Sequence, residues 1–214
     1  MEKLLKELGI SLFDIQSKEM LSKEFKRIAD KLFQEYEIIC GDKHFRFAEI
    51  EFYYYRTGGM FDKEWNCITY ARRNKKDGDF MYHYSGVDMC FKSNFSDECA
   101  EFGGILIRSI YTTNKEGKRE MIFGPLACKN EMLNYCKGEM PKMCKSKVLN
   151  TCDVKATSLA GVPENKQSDY CFYDSSIGQE EWKREVERYN VHTQKTYIYK
   201  SKYNTDRFSL RQKK

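Results

Sequence analysis

Between residues 18 and 55 the spacing of the apolar side chains switches from three-or-four to two, and that switch orders the first elements. Leu21, Phe25, Ile28, Ala29, Leu32, Phe33 and Tyr36 recur at helical steps, so residues 18–36 read as an amphipathic helix with one buried stripe. Ser17 is the expected N-cap, with Ser22 as the alternative, and Lys26 and Arg27 fall on the opposite face. Tyr36 to Cys40 then reads as a strand, Gly41-Asp42 as a turn, and His44 to Tyr55 as the returning strand of a hairpin. Strict alternation along the second strand puts Phe45, Phe47, Glu49, Glu51 and Tyr53 on one face. Arg46, Ala48, Ile50, Phe52 and Tyr54 take the other. Two carboxylates thereby interrupt an aromatic face, a local inconsistency of the kind found at functional positions. The alternative is an edge strand whose glutamates face solvent.

Further along, Phe80 to Tyr84 and Val87 to Phe91 read as strands around Ser85-Gly86. Ile105 to Tyr111 is apolar on both faces except at Arg108, the pattern of a central strand. An arginine there needs a partner, which implies a nearby carboxylate. Glu120 to Phe123 returns after a Lys115–Lys118 turn, and Leu126 to Cys136 forms a short helix with Leu126, Met132, Leu133 and Cys136 turned inward. Residues 138–170 are weakly patterned, with loops and short helical turns expected. Glu180 to Val186 reads as a charged helix and Thr196 to Tyr199 as a late strand. Together these elements predict a single α+β domain, a curved, mostly antiparallel β-sheet with flanking helices. The domain spans 18–200, between an N-terminal extension (1–17) and a basic C-terminal tail (201–214).

Composition narrows the class. Fifteen Tyr and fourteen Phe against three Pro in 214 residues exclude a disordered chain. Mean hydropathy is −0.73 and no 18-residue apolar run occurs, so no membrane partner is expected. The charged start is unlike a signal peptide. Cytoplasmic placement follows, with the nine Cys as thiols. Cys128, Cys136, Cys144 and Cys152 are evenly spaced but match no zinc pattern, so neither a metal nor another cofactor is implied. Net charge is +5, compatible with a polyanion but not diagnostic. Within it, Arg72, Arg73, Lys75 and Lys76 form a basic cluster that is either a solvated face or a phosphate contact. No phosphate loop, dinucleotide fingerprint, zincin helix or nucleophile elbow is present.

What remains is a constellation: Glu49 and Glu51, the tyrosines from Tyr53 to Tyr55, then Tyr82, His83 and Tyr84 before Ser85, Gly86 and Asp88, and Arg108. Aromatic walls with a few polar groups suit a planar, cationic heterocycle. An aromatic core with buried ion pairs explains the same residues.

The order of these segments resembles the alkyladenine (3-methyladenine) DNA glycosylase family. Residues 25–33 followed by Ala48-Glu49-Ile50-Glu51-Phe52-Tyr53 resemble its helix, hairpin and Glu-Thr-Glu-Ala-Tyr strand. Phe80 to Gly86 resemble its aromatic strand ending in Tyr-Gly, and Ile105 to Ser109 its Val-Leu-Leu-Arg-Ala. Gly124-Pro125-Leu126 resembles its helix start, and Thr196 to Tyr199 its final strand. The resemblance implies a glycosylase-like fold that removes an alkylated or damaged purine from DNA by base flipping. Glu51 is then the base that activates water, with Arg108 beside it, and Tyr53 and Tyr82 are the walls of the base pocket. His83, Tyr84, Ser85, Gly86 and Asp88 complete that pocket, and the 72–76 cluster meets phosphate. Three positions depart from the family pattern: Asp62 replaces a His, Ser85 a duplex-wedging Tyr, and Lys92 an Asn that screens bases. A monomer is expected. Two other functions fit the same residues: non-catalytic binding of nucleic acid or nucleobase, and hydrolysis of a modified nucleoside.

Overall fold

Helix α1 (Lys18–Glu35) begins where the sequence places it, with the Ser17 side chain accepting from the Met20 amide at 3.1 Å. Its buried stripe is Leu21, Phe25, Ile28, Ala29, Leu32 and Phe33. The chain then becomes extended at Tyr36, which closes the helix and opens β1 (Tyr36–Cys40). A computed structural model of the chain describes residues 15–56, 78–95, 100–157, 170–178, 181–190 and 195–202. Within these residues the remaining elements are β2 (Lys43–Arg56), β3 (Phe80–His83), β4 (Gly86–Phe95), β5 (Ala100–Thr113), β6 (Arg119–Phe123), α2 (Pro125–Cys136), β7 (Lys142–Lys145), β8 (Val154–Thr157), β9 (Cys171–Asp174), β10 (Lys183–Asn190) and β11 (Lys195–Lys202).

Across the described residues the fold is α+β, a curled antiparallel sheet with two helices. The main sheet runs β3-β4-β5-β2-β1-β7, with β6 pairing β5, β9 pairing β2 and β8 pairing β9. β10 and β11 form a separate two-stranded ribbon. β2 is therefore central, bonded to β5 along one edge and to β1 and β9 along the other. This overturns the edge-strand alternative for Glu49 and Glu51.

The β2–β5 ladder contains two slips. Phe47 pairs with Ile110, Glu49 with Ser109, and Ile50 with Ile107. Ala48 on β2 and Arg108 on β5 are each skipped. A single extra residue exchanges the two faces of a strand. Two slips, one on each strand, exchange both faces and restore the register beyond. The main core accordingly takes Phe45 and Phe47 but then Ile50, Phe52 and Tyr54 from β2, and Ile105, Ile107 and then Ile110 from β5. Strict alternation had grouped Phe45 and Phe47 with the glutamates. Instead they share the helix-packed face, and Ala48 joins a second cluster with Tyr111, Ile177 and Trp182.

α1 closes the main core through aromatic contacts. Phe25 stacks on Phe52 with ring centroids 4.4 Å apart, and Tyr170 meets Phe25 edge-on at 5.1 Å. Other expectations are corrected. Lys183 to Asn190 is a strand rather than part of a charged helix, paired residue for residue with Lys195–Lys202. The continuous pairing with that strand outweighs the charged run that suggested a helix. Residues 142–145 and 154–157 are strands, not helical turns. On α2 the buried residues are Cys128, Met132 and Cys136, while Leu126 and Leu133 are exposed. The thiols are small enough to let the helix lie close to the strands.

Truncating Phe25 removes the ring that α1 shares with β2. Phe25→Ala should lower the unfolding free energy by about 3–5 kcal/mol, read from the urea midpoint. Leu133→Ala, at an exposed position of α2, should stay within about 0.5 kcal/mol of the parent.

Candidate functional site

The matched slips build the site. Beyond them, register places Asp88 of β4, Leu106 of β5, Glu51 of β2 and Cys171 of β9 in one row across four strands. Residues directly opposite share a face, so these side chains lie on the face away from α1. Tyr53, two positions after Glu51, shares that face. Arg108, the skipped residue of β5, reaches back to both glutamates. Its Nε donates to Glu49 Oε1 and an Nη to Glu51 Oε2, each at 3.1 Å. The carboxylate partner that the sequence demanded for Arg108 is thus a pair of them.

Both glutamates are 0% exposed, and the Arg108 side chain retains 13%. Carboxylates so deeply buried persist as anions only with dense hydrogen bonding. The Tyr53 hydroxyl donates to Glu51 Oε2 at 2.7 Å, and the Ser109 hydroxyl to Glu49 Oε2 at 3.2 Å. The Cys171 thiol donates to Glu49 Oε1 at 3.3 Å. Burial, with Glu49 and then Glu51 beside it, holds that thiol well above its ordinary pKa, so it remains a donor. Burial and then Glu51 raise the Tyr53 phenol in the same way.

The slip in β5 leaves the Arg108 carbonyl outside the regular ladder, and α2 meets it. The Cys128 thiol points at that carbonyl at 3.4 Å and at the Ile122 carbonyl at 3.6 Å. Burial again pushes this thiol up. Two of the cysteines therefore serve the site, Cys171 at its carboxylates and Cys128 behind its arginine. Residue spacing carries no signal for either role, because both contacts are made only in space.

The β3–β4 turn borders the same face. His83 Nε2 lies 3.5 Å from Asp88 Oδ1, and His83 Nδ1 lies 3.2 Å from Ser85 Oγ. Lys129 of α2 donates to the carbonyls of both His83 and Tyr84 at 2.9 Å, which fixes the turn. Tyr84, at its tip, is 95% exposed. Gly86 is buried, and a Cβ there would lie 2.8 Å from Pro125 Cβ and 3.0 Å from Leu106 Cδ1. Its lack of a side chain is what lets α2 approach.

Glu51, Tyr53 and Arg108 thus converge, with Asp88 and His83 on the same face. Tyr82 does not join them. The row Phe80–Met89–Ile105–Phe52 lies on the α1 face, and Tyr82, two positions after Phe80, shares it. Its ring packs on the main core, and burial, with Cys136 and Cys40 nearby, raises its phenol pKa. Tyr53 and Tyr82 therefore stand on opposite sides of the sheet and form no facing walls. Arg72, Arg73, Lys75 and Lys76 lie outside the described residues, as do residues 1–14 and 203–214. Among the described residues no three His, Cys, Asp or Glu are grouped to hold a metal ion.

A phenol whose folded pKa is raised contributes stability that is complete below the unfolded pKa and is lost as pH climbs. Above about pH 10 the unfolded chain sheds the Tyr53 proton while the folded chain keeps it. Unfolding free energy should therefore fall from about pH 10 upward, and Tyr53→Phe should make that fall shallower. Urea titrations at a series of alkaline pH values measure both slopes.

No protein-family model matches the chain, and no curated protein or solved structure matches it either.

Proposed function

We propose that the chain is a hydrolase of purine N-glycosidic bonds in nucleic acid, glycosylase-like in fold, with Glu51 as the base that activates water. In this reaction the water oxygen bonds to C1′ of the nucleoside and its proton passes to Glu51. The C1′–N bond breaks with its electron pair on the departing purine. An alkylated purine already carries positive charge and leaves readily, so a placed base and water supply much of what is required. Arg108 orients the carboxylate, and Tyr53 offers its ring to the base.

The observation that carries this reading is the meeting of Glu51, Tyr53 and Arg108. The arginine lies 57 residues from the glutamate in sequence, yet both bonds to Glu51 Oε2 are formed. The exposed Tyr84 at the tip of a fixed turn adds an aromatic group suited to pressing on a base stack.

A second reading, binding of nucleic acid or nucleobase without catalysis, is favoured by two particular observations. Glu51 is fully buried, so water must displace the Tyr53 hydroxyl or the Arg108 guanidinium to reach it. Tyr82 stands on the wrong face to complete an aromatic sandwich.

Incubating the protein in excess with alkylated duplex and single-stranded DNA, and with the free alkylated nucleosides, separates the readings by chromatography of the released base. The hydrolase reading predicts release from DNA by the parent protein and at least about a hundredfold less by Glu51→Gln, the scale of a lost general base. Release from free nucleosides alone would move the substrate to modified nucleosides. Binding with no release would leave the non-catalytic reading.

A further inference from the structure

We propose that the β10–β11 ribbon is a binding surface for single-stranded nucleic acid. The inference goes beyond the hydrolase reading and stands whether or not Glu51 is a catalyst. It begins from where the charge lies. Residues 183–214 hold ten Lys or Arg against three Asp or Glu, a net of +7. The whole chain totals +5, so the residues before them total −2. The chain's entire positive excess is thus gathered in its last 32 residues, and a charge asymmetry of this kind marks a polyanion partner.

Strand register sorts that charge further. β10 and β11 pair without interruption from Lys183↔Lys202 to Asn190↔Lys195, and alternate residues of a strand share a face. One face therefore receives Arg184, Arg188, Lys195, Tyr197 and Tyr199, with Arg188 directly opposite Tyr197, and no carboxylate. Both glutamates of the ribbon, Glu185 and Glu187, fall on the other face, together with Lys183, Lys200 and Lys202. Each face holds three cations, but only one is free of acid and carries the paired tyrosines.

The aromatic content of that face decides the partner. Cations alone would suit any polyanion, including duplex DNA or an anionic lipid surface. Interleaved tyrosines suit unpaired bases, which stack on aromatic rings while cations follow the backbone. Tyr197 and Tyr199 stand about 7 Å apart along the strand. That is twice the ~3.4 Å rise between stacked bases, a spacing that matches successive bases of an extended rather than a stacked strand. A membrane-surface ribbon would instead want Trp, Phe or Leu beside its cations, and the acid-free face has Val186 as its one aliphatic residue.

Fluorescence anisotropy with the full chain tests the assignment, using labelled mixed-sequence single-stranded DNA, RNA of the same sequence and the DNA duplex. Tighter binding of either single strand than of the duplex supports the surface, and the preferred strand names its source. Replacing Arg184, Arg188 and Lys195 by Ala should weaken single-strand binding about tenfold or more and reduce the salt slope by about 2, since each contact contributes about 0.7. The same substitutions at Lys183, Lys200 and Lys202 remove equal charge from the other face and should weaken it less. Tyr197→Ala with Tyr199→Ala should cost about fivefold or more per lost stack at an unchanged salt slope, and the Phe pair should restore binding. Urea unfolding of each variant confirms that the fold survives. Equal losses from the two triple variants, no single-strand binding by the parent, or tighter capture by phosphatidylserine vesicles than by any oligonucleotide would overturn the proposal.

Discussion

The pairing of β2 with β5, and the matched slips inside it, is the constraint on which the molecule depends. Either slip alone would turn one strand's apolar side chains out of the core beyond that point. Together they let the outer parts of both strands keep their partners while the faces exchange at Ala48 and Arg108. The exchange has two consequences. It returns Ile50, Phe52 and Tyr54 to α1, and it sends Glu49, Glu51 and Tyr53 to the far side. Core and site are thus two outcomes of one backbone irregularity.

Placing two carboxylates under that face is costly, and the surrounding groups answer the cost in kind. Arg108 binds both, and Tyr53, Ser109 and Cys171 each donate to one. A network of this sort holds one arrangement strongly, because loss of any member strands a buried charge. That rigidity suits either role proposed for it. A catalytic carboxylate must be held in place before water arrives, and a structural one must never be left alone. Burial of Glu51 weighs towards the second role, and its company of Tyr53 and Arg108 towards the first.

Much of this was legible in the residues. The α1 stripe, the Ser17 cap and the first hairpin follow from periodicity and turn chemistry, because each is local. The need for a carboxylate near Arg108 was legible too, since a charged residue in an apolar strand must find a partner. The slips at Ala48 and Arg108 were not. Neither has a glycine beside it to mark a bulge, and their compensation exists only once the two strands meet. The position of Tyr82 was hidden for a similar reason. Its motif fixes its distance from Gly86 along the chain but not which face of the sheet it takes. The thiol contacts of Cys128 and Cys171, and the grip of Lys129 on the β3–β4 turn, join residues at least 45 positions apart in the case of Lys129, beyond any local pattern. The strands at 142–145, 154–157 and 183–190 were missed because each is stabilised by a partner strand rather than by its own spacing.

Arg108 and the buried carboxylates act as one unit. A double-mutant cycle on stability, with Arg108→Met and Glu51→Gln singly and together, tests it most directly. Arg108→Met should cost a large loss, part of it recovered when Glu51 is also made neutral, with Glu49 still deprived of the guanidinium. The coupling should be about 1–3 kcal/mol. Additive losses, within about 0.5 kcal/mol of the sum of the single variants, would mean that the two side chains do not act together.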